Sequence, residues 1–282
     1  MSPGEHLTTG VGNILIGNRC GGDIGDADFN TFFGIGAGTM NEHANFNPFV
    51  GSYAGADNNR TNSTTNGQRN TAIGCLAGHT NRTGSDAVTI GFRADFTTTG
   101  TNGSTGTINI GNSAEINGAY SINLGYNSDL MNQNSIGIGY DYDMDARNAI
   151  GVGYLFDFNG SANYSVGLGA NIDVNESYAV CIGNESEIDA DSSVAIGASS
   201  YASGPRSVTM GVLSSVGDTN SVALGFEASS SANNEIYLGN TSVATIGGVV
   251  NWTATSDGRF KSNILEDIPG IDFIMVLRPV SY

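Results

Sequence analysis

The sequence predicts an all-β protein, a parallel β-solenoid of about fifteen coils. Two observations lead to this prediction: a pentapeptide ending in Gly recurs along the chain, and apolar residues within it alternate with a period of two. The composition agrees, because 41 of the 282 residues are Gly, only 5 are Pro, and 39% are hydrophobic. Many short strands joined by tight turns fit these values, whereas a disordered polar chain does not.

The pentapeptide reads, for example, SVAIG at 193–197 and SVALG at 221–225. Its last residue is called the repeat glycine below, and neighbouring positions are numbered from it. Its fifteen copies are Gly17, Gly34, Gly51, Gly74, Gly91, Gly111, Gly125, Gly139, Gly153, Gly169, Gly183, Gly197, Gly211, Gly225 and Gly239. From Gly111 onward the spacing is 14, except for a spacing of 16 between Gly153 and Gly169, and before Gly111 it varies from 17 to 23. Such a fixed period predicts a solenoid whose early coils carry longer loops.

Three apolar columns define the strands. Position −1 is apolar in every copy, and position −3 is Val or Ile in every copy from Val88 onward. Apolar residues two apart predict a strand with one buried face, so we expect these columns, exemplified by Val194 and Ile196, to point into the coil. Position +5 predicts a second short strand in each regular coil: Ile116, Leu130, Met144, Phe158, Val174, Ile188, Ala202 and Val216.

Position −2, between the first two columns, is small or polar: Asn123, Gly137, Gly151, Gly167, Cys181, Ala195, Thr209 and Ala223. Because bulky β-formers usually occupy an exposed strand position, small residues there indicate that something packs closely against that face. A second copy of the chain is the natural occupant. The alternative interpretation is that narrow coils simply prefer small side chains.

Charge and composition exclude several classes of function. The formal charge of −17 and the pI near 4.2 disfavour nucleic acid and anionic membranes as partners. No apolar run is long enough for a membrane span, and the first residues, MSPGEHLTTG, lack the pattern of a secretory signal. The positions of Cys20, Cys75 and Cys181 predict neither a disulfide framework nor a zinc site. We expect no cofactor.

Candidate metal ligands and catalysts are few. Asp141, Asp143 and Asp145 resemble the start of a calcium loop, but Ala146 replaces the Gly expected at the sixth place and no Glu stands at the twelfth. A solvated acidic turn is therefore the favoured interpretation, and no metal site is predicted. Three histidines lie in separate early loops and are expected at the surface rather than as catalysts: His6, His43 and His79.

The repeats resemble two known groups. NSVALG (220–225) and SSVAIG (192–197), with their spacing of 14, resemble the head repeats of trimeric autotransporter adhesins. That resemblance implies left-handed parallel β-rolls packed side by side as a homotrimer. The early copies NTFFGIGAG (30–38), NPFVGSYAG (47–55) and NTAIGCLAG (70–78) resemble repeats of bacterial and phage proteins of the tail-fibre type. The predicted organisation is a lead at 1–10, irregular coils at 11–110, regular coils at 111–247, and a distinct segment at 248–282.

The segment 248–282 is short, with helical character in IDFIMVL (271–277), and resembles the start of the C-terminal intramolecular chaperone domain of phage tailspikes and endosialidases. The matching residues are Ser256, Asp257, Arg259, Lys261, Asn263, Ile264, Leu277, Arg278, Pro279, Val280 and Tyr282. The resemblance implies a self-cleaved Ser256–Asp257 bond, with Ser256 as nucleophile and Lys261 as its base, in a chain that carries the complete domain. Lys can act so when burial depresses its pKa.

These observations predict a non-enzymatic trimeric fibre of a phage tail or a phage-derived injection device, located on a virion tail or outside the cell. Its expected partners are two further copies of itself, a tail or baseplate protein, and a cell-surface glycan or protein receptor bound by the longer early loops. A bacterial surface adhesin of the same shape is the alternative. A polysaccharide-cleaving tailspike is disfavoured because no paired carboxylates with acid and base roles stand out.

Overall fold

A computed structural model of the chain describes residues 2–61, 63–96 and 105–249. Within these residues it contains β-strands and no α-helix. Fifteen strands form one parallel sheet, the main sheet, in sequence order. With the 24 strands numbered along the chain, its members are β1 (Ile14–Ile16), β2 (Thr31–Phe33), β3 (Pro48–Val50), β4 (Thr71–Ile73), β5 (Val88–Ile90), β7 (Ile108–Ile110), β9 (Ile122–Tyr126), β11 (Ile136–Tyr140), β13 (Ile150–Tyr154), β15 (Val166–Ala170), β17 (Val180–Ile182), β19 (Val194–Ile196), β21 (Val208–Met210), β23 (Val222–Leu224) and β24 (Ile236–Leu238).

Nine two-residue strands form a second parallel sheet, again in sequence order. They are β6 (Asp95–Phe96), β8 (Glu115–Ile116), β10 (Asp129–Leu130), β12 (Asp143–Met144), β14 (Asp157–Phe158), β16 (Asp173–Val174), β18 (Glu187–Ile188), β20 (Tyr201–Ala202) and β22 (Ser215–Val216). Equivalent residues of successive coils pair directly: Val194 lies opposite Val180 and Val208. The predicted parallel solenoid of about fifteen coils is therefore confirmed. With strands about 4.8 Å apart, the main sheet extends for about 70 Å along the stack.

Each coil turns at two left-handed residues, at positions +2 and −5. In one coil these are Leu213, with φ 59°, and Asn220, with φ 55°. A left-handed non-glycine residue costs about 1–2 kcal/mol, so the corner must be held by other contacts. The N–H of Leu213 donates to the carbonyl of Ala198 at 2.9 Å, and that of Asn220 to Pro205 at 2.9 Å. The preceding coil thus serves as the template for both corners of the next.

Two features require glycine at the repeat position: the φ angle of the backbone there and the close carbonyl oxygen of the next coil. Gly211 has a φ of 150°, in the region that favours glycine, and a Cβ built on it would lie 2.2 Å from the carbonyl oxygen of Gly225. Gly153 repeats this geometry, with φ 156° and a Cβ only 1.6 Å from the carbonyl oxygen of Gly169. The column of repeat glycines therefore lets consecutive coils approach closely where each strand of the main sheet ends.

The prediction for the orientation of the main-sheet strands is wrong. Ala195, at position −2, is fully buried, whereas Val194 and Ile196 on either side of it are only partly buried. The same alternation runs through β17, β21 and β23. Because side chains alternate across a strand, the assignment of one column fixes the other two. Positions −3 and −1 consequently point out of the coil, and the small residues at −2 point in. The interpretation that a second copy of the chain packs against the small residues is therefore wrong, and the alternative, that narrow coils prefer small side chains, agrees with the burial of Ala195.

Small residues suffice at −2 because other side chains fill the interior. Position +5 lies in the second short strand that was predicted there and points inward, and Ile116 and Met144 are fully buried. The size of the side chain at position +3 varies with that of the side chain at position −2 of the same coil. For example, Gly151 at −2 faces Phe156 at +3, and a Cβ built on Gly151 would lie 2.4 Å from that ring. Further pairs of the same kind are Phe32 with Ala37, Phe49 with Ala54, Gly137 with Tyr142, and Gly167 with Ile172. A large residue at one of the two positions thus accompanies a small one at the other.

A buried polar ladder runs beside this core at position −4. The N–H of Asn47 donates to Oδ1 of Asn30 at 2.9 Å, and the N–H of Asn70 to Oδ1 of Asn47 at 2.7 Å. In most of the regular coils serine occupies this position, and the N–H of Ser207 donates to Oγ of Ser193 at 3.3 Å. Each side-chain oxygen therefore satisfies a backbone donor of the following coil, which a buried donor requires.

The coils belong to one compact unit, Met1–Ser242, and a second unit comprises Val243–Tyr282. Of the segment 248–282, only Gly248 and Val249 are among the described residues. The helical character predicted for this segment lies outside them.

Replacing a repeat glycine is expected to destabilise the solenoid. Gly211→Ala combines an unfavourable φ with a backbone clash, so we expect a loss of about 2 kcal/mol or more. That loss corresponds to a lower thermal midpoint by about 4 °C or more in circular dichroism. Gly217→Ala is the matched control, because an added Cβ there meets only Oγ of Ser203 at 3.7 Å. Equal midpoints for the two variants would contradict the proposed role of the glycine column.

Candidate functional site: the outer face of the main sheet

The most extensive uniform surface of the solenoid is made by positions −3 and −1 of the main sheet, called the outer face below. From β5 to β24 every one of these positions is Val, Ile, Leu or Met. Their side chains stay partly open to solvent, as Ile138 (37%), Ile150 (40%) and Met210 (44%) illustrate. The earlier strands continue the stripe with Ile14, Ile16, Phe33, Val50 and Ile73, all at least 40% exposed.

The outer face covers about the area of the largest apolar patch on a typical monomer. Two columns about 7 Å apart along a sheet of about 70 Å cover about 500 Å². The largest apolar patch of a typical monomer covers about 300–600 Å² and often serves a function. No Asp, Glu, Lys or Arg occurs at positions −3 or −1 of any of the fifteen copies. The outer face is therefore a candidate surface for association with another apolar sheet.

Stacked aromatic rings lie at the two corners that border the outer face. At position +1, Tyr126, Tyr140 and Tyr154 stack with ring centroids 5.1 and 5.2 Å apart, and each is about half exposed. At position −5, the rings of Tyr164 and Tyr178 stack at 5.2 Å with an interplanar angle of 4°. Because equivalent residues repeat along the stack, the rings face each other in the direction of the solenoid axis.

The second sheet carries charged residues, unlike the apolar outer face. Seven of its nine strands carry a carboxylate at position +4 that faces away from the core, in the order Asp95, Glu115, Asp129, Asp143, Asp157, Asp173 and Glu187. Asp129 pairs in register with Glu115 on one side and Asp143 on the other, so like charges repeat at the strand spacing of about 4.8 Å. Like charges directly opposite each other destabilise a sheet. This set of residues is called the acidic column below.

Burial and mutual repulsion raise the pKa values of the acidic column. The pKa of Asp129 is raised to about 7, mainly by burial and then by the negative charges of Glu115, Asp143 and Asp145. Burial and neighbouring carboxylates also raise the pKa values of Asp157 and Asp173. One carboxylate oxygen of Asp129 is buried and accepts no hydrogen bond in the described part of the chain. The charged form of this column is therefore unfavourable in the folded state.

The three aspartates compared with a calcium loop occupy different places. Asp143 belongs to the acidic column, whereas Asp141 is a left-handed corner residue that accepts a hydrogen bond from Nδ2 of Asn127. The backbone N–H of Asp145 donates to the carbonyl of Phe158 at 2.8 Å. Within residues 2–61, 63–96 and 105–249, no three His, Cys, Asp or Glu side chains are arranged to hold a metal ion.

Two of the histidines have carboxylate neighbours that sequence reasoning missed. Nδ1 of His43 lies 2.5 Å from Oδ1 of Asp26, and Nδ1 of His6 lies 3.8 Å from Oδ1 of Asp23. In both pairs the partner precedes or follows the histidine by one early coil. The repeat spacing itself was the signal that could have found them, because residues one period apart are neighbours in a solenoid.

Other sequence candidates have simple outcomes. Cys20, Cys75 and Cys181 are free thiols; the first and last are buried, and Cys75 is exposed. Ser256 and Lys261, predicted to cut the bond to Asp257, lie outside the described residues. No helix among the described residues is long and apolar enough to cross a membrane.

In the comparisons with known proteins, no protein-family model and no curated protein matches the chain.

The raised pKa values predict greater stability in mild acid. The folded state binds protons more readily than the unfolded chain between the ordinary Asp pKa of 3.8 and about 7. Stability should therefore fall as the pH rises through this range, reaching its lowest value above pH 7. We expect a higher thermal midpoint at pH 5 than at pH 8.

Measuring the thermal midpoint of variants at the same two pH values tests whether Asp129 causes the pH dependence of stability. Asp129→Asn should raise the midpoint at pH 8 and reduce the difference between the two pH values. Glu5→Gln, which removes one charge from the first coil, should leave that difference unchanged. A midpoint that rises with pH, or an equal effect of both variants, would contradict the role assigned to the acidic column.

Proposed function

We propose that the protein is a structural fibre, in which three chains pack side by side with their outer faces buried, as part of a phage tail or a phage-derived injection device. The observation that carries the proposal is the outer face, which bears no charged residue along the main sheet and is aliphatic at every position from β5 to β24. Burying such a surface contributes roughly 25 cal/mol for each Å² of apolar area. A closed arrangement removes this face from water in every copy.

The distribution of charge supports the same orientation. Three copies would carry a formal charge of −51, three times −17. The acidic column lies on the second sheet, whose strands are separate from those of the outer face. Association through the outer face would leave these carboxylates in water, where their mutual repulsion is screened. The number three rests on the resemblance to the head repeats of trimeric autotransporter adhesins.

The two ends of the sequence would have different roles in such a fibre. The early coils, whose repeat glycines lie further apart than those of the regular coils, offer longer loops for contact with a receptor. The segment 248–282, by its resemblance to an intramolecular chaperone domain, would bring three chains into register before the coils pair. Identical coils make slippage by one coil inexpensive, so a distinct trimerising segment is a physical remedy.

A charge placed on the outer face should prevent assembly. Ile138→Asp puts a carboxylate into the proposed interface, where an unpaired charge is costly. We expect light scattering coupled to size exclusion to report trimers for the wild type and monomers for Ile138→Asp at micromolar concentration. Ser215→Asp, which adds the same charge to the second sheet, is the control and should remain trimeric. A monomeric wild type, or an Ile138→Asp variant that still forms trimers, would contradict the proposal.

The role of the C-terminal segment is tested separately. A chain lacking 249–282 from the start should refold into aggregates or mixed oligomers, because its coils lack a register signal. Removing the segment by proteolysis after assembly should leave the trimer intact. Ser256→Ala should alter only whether the segment is cut off. Normal trimers in full yield from the shortened chain would show that the segment does not direct assembly.

A further inference from the structure

The only irregular interval among the regular repeats lies beside a polar cleft. The spacing from Gly153 to Gly169 is 16 instead of 14, and this longer repeat is called the enlarged coil below. Beside the corner that leads back to the main sheet is a cleft of about 410 Å³, lined by Asn132, Arg147, Asn148, Gly160, Asn163, Tyr164 and Ser177. This volume lies within the range of about 300–1,000 Å³ that small-molecule sites occupy.

The inserted corner is held by its own hydrogen bonds. Nδ2 of Asn163 donates to the carbonyl of Gly160 at 3.2 Å, and Oγ of Ser177 donates to the carbonyl of Ser161 at 2.6 Å. Nδ2 of Asn159 reaches the next coil and donates to Oδ1 of Asn175 at 2.7 Å. The cleft is therefore pre-organised, which reduces the entropy lost when a ligand binds.

One wall of the cleft is an aromatic ring with an uncovered face. Tyr164 stacks on Tyr178 of the following coil, so its opposite face looks toward the preceding coil. The equivalent position there is Asn148, whose side chain is much smaller than a tyrosine ring. Tyr164 is 56% exposed, and the space next to Gly160 is open, with no atom within 4 Å of a built Cβ. A flat ligand surface can therefore lie against this ring.

The remaining walls supply hydrogen-bonding groups with unused capacity. Nε of Arg147 donates to Oδ1 of Asn132 at 3.1 Å, which orients the guanidinium. Among the described residues, neither its two terminal amino groups nor the side chain of Asn148 has a hydrogen-bond partner. Arg147 is also the one basic residue between Arg93 and Arg206. A fixed fork of donors beside amides suits a ligand with neighbouring hydroxyl oxygens.

We infer that this cleft binds a pyranose unit of a glycan. The apolar face of the sugar ring would lie on the ring of Tyr164. The vicinal hydroxyls of the sugar would accept hydrogen bonds from Arg147, and they would both donate to and accept from the side-chain amide of Asn148. The inference rests on the proposed function, because a fibre that contacts a cell surface needs a receptor site. It adds a binding site in the enlarged coil to the receptor contacts proposed for the longer early loops.

The test begins with the full-length protein on an array of bacterial and animal glycans, followed by calorimetric titration with the best-retained oligosaccharide. Tyr164→Ala and Arg147→Ala should each weaken binding about tenfold or more, which corresponds to about 1.4 kcal/mol. Tyr164→Phe should retain most of the affinity because it keeps the ring. Tyr120→Ala, an exposed tyrosine at the same corner position but outside the cleft, should bind like the wild type.

Three outcomes would overturn the inference: no glycan retained by the array, a Tyr164→Ala variant with unchanged affinity, or equal losses for Tyr120→Ala and Tyr164→Ala. Thermal midpoints of all variants, compared with that of the wild type, separate lost binding from lost folding. Light scattering of the same samples separates this inference from the proposed function. A trimer that binds no glycan refutes the cleft alone, whereas a monomer that binds through Tyr164 refutes the trimer alone.

Discussion

The close approach of successive coils at the repeat glycine is the constraint on which the rest of the structure depends. The carbonyl of Gly169 lies where a Cβ on Gly153 would be, so no other residue fits without moving the coils apart. Coils held this close exchange hydrogen bonds at both corners, and these bonds hold non-glycine residues such as Leu213 in the left-handed conformation. The constant period of the regular coils follows, because every coil must repeat the path of the one before it.

A period fixed in this way leaves a narrow interior, and in several coils a large residue at one of positions −2 and +3 accompanies a small one at the other. Where position −2 is Gly, as at Gly151, a ring such as Phe156 fills the space, and where it is Phe32, the partner is Ala37. Interiors packed at native density tolerate neither a void nor an overlap. The interior therefore has no room for a second large aliphatic column, and the Val and Ile side chains of the main sheet lie outside.

This arrangement gives one molecule two chemically opposite sheets. The main sheet presents aliphatic side chains to solvent, and the second sheet presents stacked carboxylates of which Asp129 is the most strongly perturbed. The apolar outer face favours association with another surface. The repelling carboxylates of the acidic column oppose burial of the second sheet in an interface. Both features repeat coil by coil, whereas the cleft beside Tyr164 interrupts the repetition at a single place.

The fold class, the number of coils and the positions of the strands could be predicted from the sequence, because these follow from the spacing of the repeats. The sequence did not determine which side of each main-sheet strand faces inward. Alternation permits two orientations of a strand, which differ by a shift of one residue in the positions that face inward. The apolar side chains of Val194 and Ile196 predicted the wrong orientation. The orientation depends on three-dimensional packing, because the size of the interior is set by residues such as Phe156 and Ile116 that reach it from the opposite wall. The contact of His43 with Asp26, by contrast, could have been predicted from the repeat spacing, because residues one period apart are neighbours in a solenoid.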